Sequence, residues 1–207
     1  MQTFNILYDK LPEEWNGYHI NTSFRVGVQL SIMMDDQELS DREKQYYMLL
    51  LLFGDNEGNI AAPESNEDIE ECLKFLLSGW HHDRSPKEDK EDHKKYMDYF
   101  VDQGRIYADF MHFYGIDLNT ASLHYWAFQY LLWGMPAEES SFLQVLSLRR
   151  KKPRKNASKE EIEAIKEAHE IYDLEQPKKQ YSREEKKKID AYDEMRAKQK
   201  AKKKEGR

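Results

Sequence analysis

Three aspartates and an arginine, Asp98, Asp102, Arg105 and Asp109, recur three or four residues apart in a stretch of helical periodicity. Carboxylates grouped this way are the raw material of acid–base chemistry. They do that work only when burial or crowding moves their pKa values. Tyr96, Phe100, Tyr107, Met111 and Tyr114 form an apolar stripe on the same helix. The charged stripe is therefore predicted to lie opposite the core, open to solvent or to a partner.

Metal chemistry has its residue types but not its spacing. His81, His82 and His93, with Asp83, Asp89 and Asp92, show neither the His-x-x-x-His nor the Cys/His pattern of a known site. They fall in a polar stretch around Pro86 that reads as a solvated connection. Asp55-Asn56-Glu57-Gly58-Asn59 has the composition of a calcium loop but lacks its ligand spacing and closing glutamate, so a turn is expected there. Cys72 lies on an apolar helix face and reads as an inert buried thiol. His124 stands in an apolar helix, where an interior hydrogen-bonded residue is expected. A phosphate-binding glycine loop, a dinucleotide fingerprint, a G-x-S-x-G elbow and an H-E-x-x-H pair are all missing. The expectation is a protein that is not an enzyme and that carries no cofactor or metal.

Arg149, Arg150, Lys151 and Lys152 open a basic run that reaches Lys155. Clustered basic residues release counterions from nucleic acid. Residues 1–145, however, carry 11 Lys/Arg against 26 Asp/Glu, a net of −15, and residues 146–207 carry 21 against 13, a net of +8. So acidic a body repels phosphate, acidic residues interleave the basic region, and no aromatic platform accompanies it. Nucleic acid is thus an unexpected partner. Asp98, Asp102, Arg105, Asp109 and Arg149 to Lys152 are the candidate contacts to another protein.

The elements that must position these residues are helices. Leu123 to Trp133 holds five aromatics between Tyr125 and Trp133 and only His124 and Gln129 as polar residues. A helix of that composition has no polar face and must be covered. It is too short for a membrane crossing, which needs about 20 residues. An all-α bundle around this central helix is expected. Asn16-Gly17 between Glu14-Trp15 and Tyr18-His19-Ile20 predicts a small hairpin. A first helix is expected from about Thr22 or Ser23 to Met34. Ser40 with Glu43 is a capping box for a second, ended by Gly54. Ile69, Cys72, Leu73, Leu76, Leu77 and Trp80 form one face of a third. The fourth runs from Tyr96 to Tyr114 and ends at Gly115. Pro136 opens a further helix with Phe142, Val145, Leu146 and Leu148 on its apolar side.

Four segments follow: a hairpin over 1–22, a helical bundle core over 23–148, a basic linker and docking helix over 149–174, and a charged helical or disordered tail over 175–207. Ile162, Ile165, His169 and Tyr172 give the docking helix its face, and Ser158-Glu161 and Ser182-Glu185 are capping boxes. One cysteine, with no secretory leader evident at Met1 to Lys10, points to a cytoplasmic protein.

Asn21-Thr22-Ser23-Phe24-Arg25, Leu39-Ser40 with Glu43-Lys44, Tyr114-Gly115-Ile116-Asp117-Leu118, Leu123-His124-Tyr125-Trp126 with Phe128, and Gly134 occur in that order. Over residues 10–174 the chain resembles the bacteriophage "Gp-fifteen" family of tailed phages and prophages of Gram-positive bacteria. Ser23 and Tyr125 depart from the family pattern, and residues 175–207 extend past its usual end. Members are encoded in the tail module, just ahead of the tape-measure protein. The resemblance implies a tail assembly chaperone that binds the tape measure or other tail proteins, with self-association open. A structural tail component kept in the virion is the second reading, and a nucleic-acid-binding accessory protein the third.

Overall fold

Asn16 and Gly17 turn the chain back on itself with φ of 47° and 84°. Positive φ at both positions is what a tight two-residue hairpin demands. The hairpin pairs β1 (Glu14–Trp15) with β2 (Tyr18–His19), antiparallel, Trp15 opposite Tyr18. The computed structural model describes residues 5–55, 57–79 and 94–175. Among these the rest of the regular structure is helical: α1 (Phe24–Asp35), α2 (Asp41–Phe53), α3 (Asn66–Ser78), α4 (Tyr99–Tyr114), α5 (Tyr125–Gly134), α6 (Ser141–Arg150) and α7 (Lys159–Tyr172). The protein is all-α with a small N-terminal hairpin.

Local signals set the helix ends. The Ser40–Glu43 capping box forms in full at the start of α2. Gly115 closes α4 in the left-handed conformation, where its amide reaches the carbonyls of Phe110 and Met111. Asp55 folds its own loop by accepting from the amides of Glu57 and Asn59, a turn as expected. Trp80, the three histidines and three aspartates between His81 and His93, and the capping box at Ser182 lie outside the described residues.

The core assembles on α5. Phe128 is stacked between Phe110 of α4, at 5.0 Å, and Phe24 of α1, at 5.1 Å. Tyr125 lies so close to α1 that a Cβ on Gly27 would come within 2.1 Å of its ring. Trp126 reaches α3, where its Nε1–H donates to the Leu76 carbonyl at 2.8 Å and its ring meets Phe75 edge-on. Gln129 donates to the Tyr99 hydroxyl and accepts from the Trp133 indole. One helix thus supplies the contact for α1, α3 and α4. Burial pushes the Cys72 thiol up to about 11, which keeps it protonated and inert.

His124 is the N-cap of α5 rather than a residue within it. Its Nδ1 accepts from the Trp126 amide at 3.0 Å, so Nε2 carries the proton and donates to the Pro12 carbonyl at 2.9 Å. This one imidazole ties the N-terminal segment to the central helix.

Candidate interaction surface

α4 decides what the surface can do, because two faces of it are apolar and only one can be inside. Successive residues turn by roughly 100°. Tyr99, Ile106, Phe110 and Phe113 fall on one side, flanked by Asp102 and Asp109. Phe100, Gly104, Tyr107, Ala108 and Met111 fall on the other. The structure buries the first. Asp102 is 0% exposed and Asp109 5%, whereas Phe100 is 71% exposed and Val101 and Met111 also face outward. The predicted orientation is therefore reversed: the aspartates of the charged stripe point in, and much of the expected core stripe points out.

The reason is two polar anchors, two helical turns apart, that match the two ends of α6. Asp109 caps the N-terminus of α6 from across the interface. Its Oδ2 accepts from the Ser140 hydroxyl at 2.6 Å and the Phe142 amide at 2.9 Å, and its Oδ1 from the amide and hydroxyl of Ser141. Burial pushes the Asp109 pKa up, but these four donors outweigh it and hold the carboxyl below its ordinary range. A negative charge at the first turn also meets the positive end of the helix dipole.

At the other end Arg149 is 3% exposed and meets Asp102 with both forks, at 2.7 and 2.9 Å. Its Nε–H and a second Nη1–H donate to the backbone carbonyls of Tyr172 and Tyr96. Asp102 also accepts from the Asp98 amide at 3.1 Å, with the Arg105 guanidinium 3.7 Å away. Every acceptor a buried carboxylate needs filled is filled here. Arg149 thus fastens α4, α6 and the end of α7 together. It belongs to the last turn of α6, and the basic connection begins at Lys151.

The eight sequence-predicted contact residues consequently part company. Asp102, Asp109 and Arg149 are interior and hold helices, which corrects their assignment to a partner-facing surface. Asp98 is half-buried and caps α4, accepting from the Phe100 and Val101 amides and pairing with Lys95, which also pairs with Asp35. Burial pushes its pKa up, yet Lys95 and the two amides prevail and hold it below the ordinary carboxylate range. Arg105 is half-exposed beside the Tyr172 ring. Arg150, Lys151 and Lys152 are exposed, with Arg150 over the Tyr96 ring at 5.5 Å.

Sequence reasoning passed over Val101, Gly104 and Ala108. Gly104 sits mid-helix with nothing within 4 Å of where a Cβ would be. A signal for the inner face existed: Ile106, Phe110 and Phe113, at i, i+4 and i+7, run alongside the aspartates. Among the described residues there is no group of three or more potential metal ligands and no helix long and apolar enough to cross a membrane.

A helical bundle held by a buried ion pair and side-chain caps, with an outward apolar stripe on one helix, is the class of protein these features define. The family model described as Bacteriophage Gp15 protein matches residues 7–174, and the chain belongs to that family. Comparison with curated proteins and with solved structures finds no match.

Proposed function

We propose that this protein is a tail assembly chaperone, a scaffold-like and non-enzymatic partner that binds the tape-measure protein while the tail forms. Membership of the phage family supports the setting. The observation that carries the binding role is the outward stripe of α4. Because Asp102 and Asp109 lock the opposite side of the helix onto α6, Phe100, Tyr107 and Met111 have no freedom to turn inward. Leaving so much apolar surface in water costs free energy that contact with another chain recovers. Phe100, Gly104, Tyr107, Ala108 and Met111 are spaced to receive one apolar helix, with Gly104 letting the backbones approach. A tape measure is a long, largely helical chain that needs such contacts, and an acidic carrier keeps the pair dispersed.

The reading as a binding protein also rests on the use made of the interior acids. Asp102 and Asp109 are spent on Arg149 and on the α6 N-terminus, so neither is poised for proton transfer.

Co-expression with the tape-measure protein is the test. The wild-type chain should raise its soluble yield, and Phe100→Asp with Met111→Asp should abolish that gain while the variant's own circular dichroism and melting stay unchanged. No gain from the wild type, or a full gain from the folded variant, overturns the proposal. Mass spectrometry of purified virions separates a chaperone, which is absent from them, from a tail component, which is retained.

A further inference from the structure

Two surfaces of opposite charge are carried by different helices of the bundle. One is the outer face of α2 and α3. Gln45 of α2 donates to Asn66 of α3 at 3.0 Å, which brings the starts of the two helices together. Residues 36–43 carry four acids and one base, and residues 64–71 carry five acids and no base. Beside Gln45, Tyr46 and Tyr47 are both exposed and touch edge to face. Glu64, Glu67, Asp68, Glu70 and Glu71 are exposed and have no ion-pair partner among the described residues.

The other surface is the connection from α6 to α7. Of the five residues that open it, Lys151 to Lys155, four are basic, interrupted by Pro153, and all five are exposed. Among the described residues Arg154 pairs with Glu161, 3.9 Å away, with its own side chain 88% exposed. The two surfaces are carried by different neighbours. α2 packs on α1 and α3 on α5, while α6 packs on α4 and α7 on α6.

We propose that the basic α6–α7 connection of one copy docks on the aromatic and acidic α2–α3 face of a second copy. Charge complementarity supplies the register, and each exposed tyrosine offers a ring face to the basic side chains. This protein already uses that contact internally, with Arg25 over Phe24 at 4.7 Å and Arg150 over Tyr96 at 5.5 Å. Because donor and acceptor surfaces differ, the contact is head-to-tail. It adds copies in a row or closes a ring, rather than stopping at a two-fold dimer. The inference does not depend on the tape-measure reading.

Sedimentation of the full chain tests it. Wild-type protein should associate in about 0.02 M salt and dissociate in about 0.5 M, where charges are screened within a few ångströms. A loop variant, Lys151→Glu with Arg154→Glu and Lys155→Glu, should associate about tenfold more weakly or worse, given three exposed pairs reversed. So should a face variant, Glu67→Lys with Glu70→Lys and Glu71→Lys. Mixing the two variants, or joining all six changes in one chain, should restore association, which no unfolding artefact can mimic. A monomeric wild type at low salt overturns the proposal. So does association that survives loop reversal, which would place its source elsewhere, the basic residues beyond Glu175 included. Loop-dependent binding of a DNA duplex without self-association would give the connection to nucleic acid and overturn it equally.

Discussion

Arg149→Met puts the buried frame to its sharpest test. The substitution keeps side-chain volume but strands the Asp102 carboxylate, which is wholly buried, and removes the donors to Tyr96 and Tyr172. Breaking one partner out of a buried pair costs about 3–5 kcal/mol. The Arg105 guanidinium remains 3.7 Å from Asp102 and softens the loss, which places the expectation near the lower end, about 3 kcal/mol. For a chain of this size that is a fall in Tm of about 6–12 °C. Urea unfolding, followed by tryptophan fluorescence and circular dichroism, gives the value directly. Asp102→Leu in the Arg149→Met background then removes the stranded charge. The double variant should recover at least half of the loss, because two apolar groups of suitable size replace an ion pair at little net cost. If Arg149→Met costs under about 0.5 kcal/mol, Arg149 behaves as an ordinary surface residue and the reasoning fails. A double variant as unstable as the sum of its parts would refute the coupling.

Three further outcomes follow from the same structure. Asp109→Asn should cost about 1–2 kcal/mol, because the amide nitrogen replaces one of two oxygens that each accept from two donors. The carboxyl is held below its ordinary value of about 3.9, so its stabilisation is full above that value and lost as pH falls through the lower folded one; the variant's acid unfolding curve should be correspondingly flatter. Burial pushes the His124 pKa down, against the opposing pull of the Pro12 carbonyl and of Glu13, so the folded protein favours the neutral ring. Its contribution is complete above about pH 6.5 and declines as pH falls below it, since the unfolded chain takes the proton first; urea midpoints between pH 7.5 and 5.5 should drop for the wild type and less for His124→Asn. The glycines at 27 and 104 should respond in opposite directions to alanine in thermal melts. Gly27→Ala drives a methyl into the Tyr125 ring and should cost about 1–3 kcal/mol, whereas Gly104→Ala meets nothing and should gain about 0.5–1 kcal/mol.

Most of the architecture was legible in the residues. The Asn-Gly hairpin, the Ser40 box, the Gly115 stop and the Ile69–Cys72–Leu76 face depend on neighbours within one or two turns, so short-range chemistry suffices to read them. The central aromatic helix was legible for a different reason: with no polar face it could only be covered. The rotation of α4 was not legible. Its residues offer two apolar stripes, and periodicity reports that a stripe exists without ranking one above another.

The choice between those stripes is a long-range matter. Asp102 and Asp109 look like surface acids until Arg149 and the start of α6, some 30 to 50 residues later, arrive to satisfy them. Desolvating a carboxylate is prohibitive alone and acceptable with four donors or a bidentate guanidinium. The sequence by itself therefore determined which segments are helices, where they stop and that they bundle around Leu123 to Trp133. Only the tertiary structure decided which charges lie inside and which aromatics are left out, because the sign of that balance depends on partners distant in the chain.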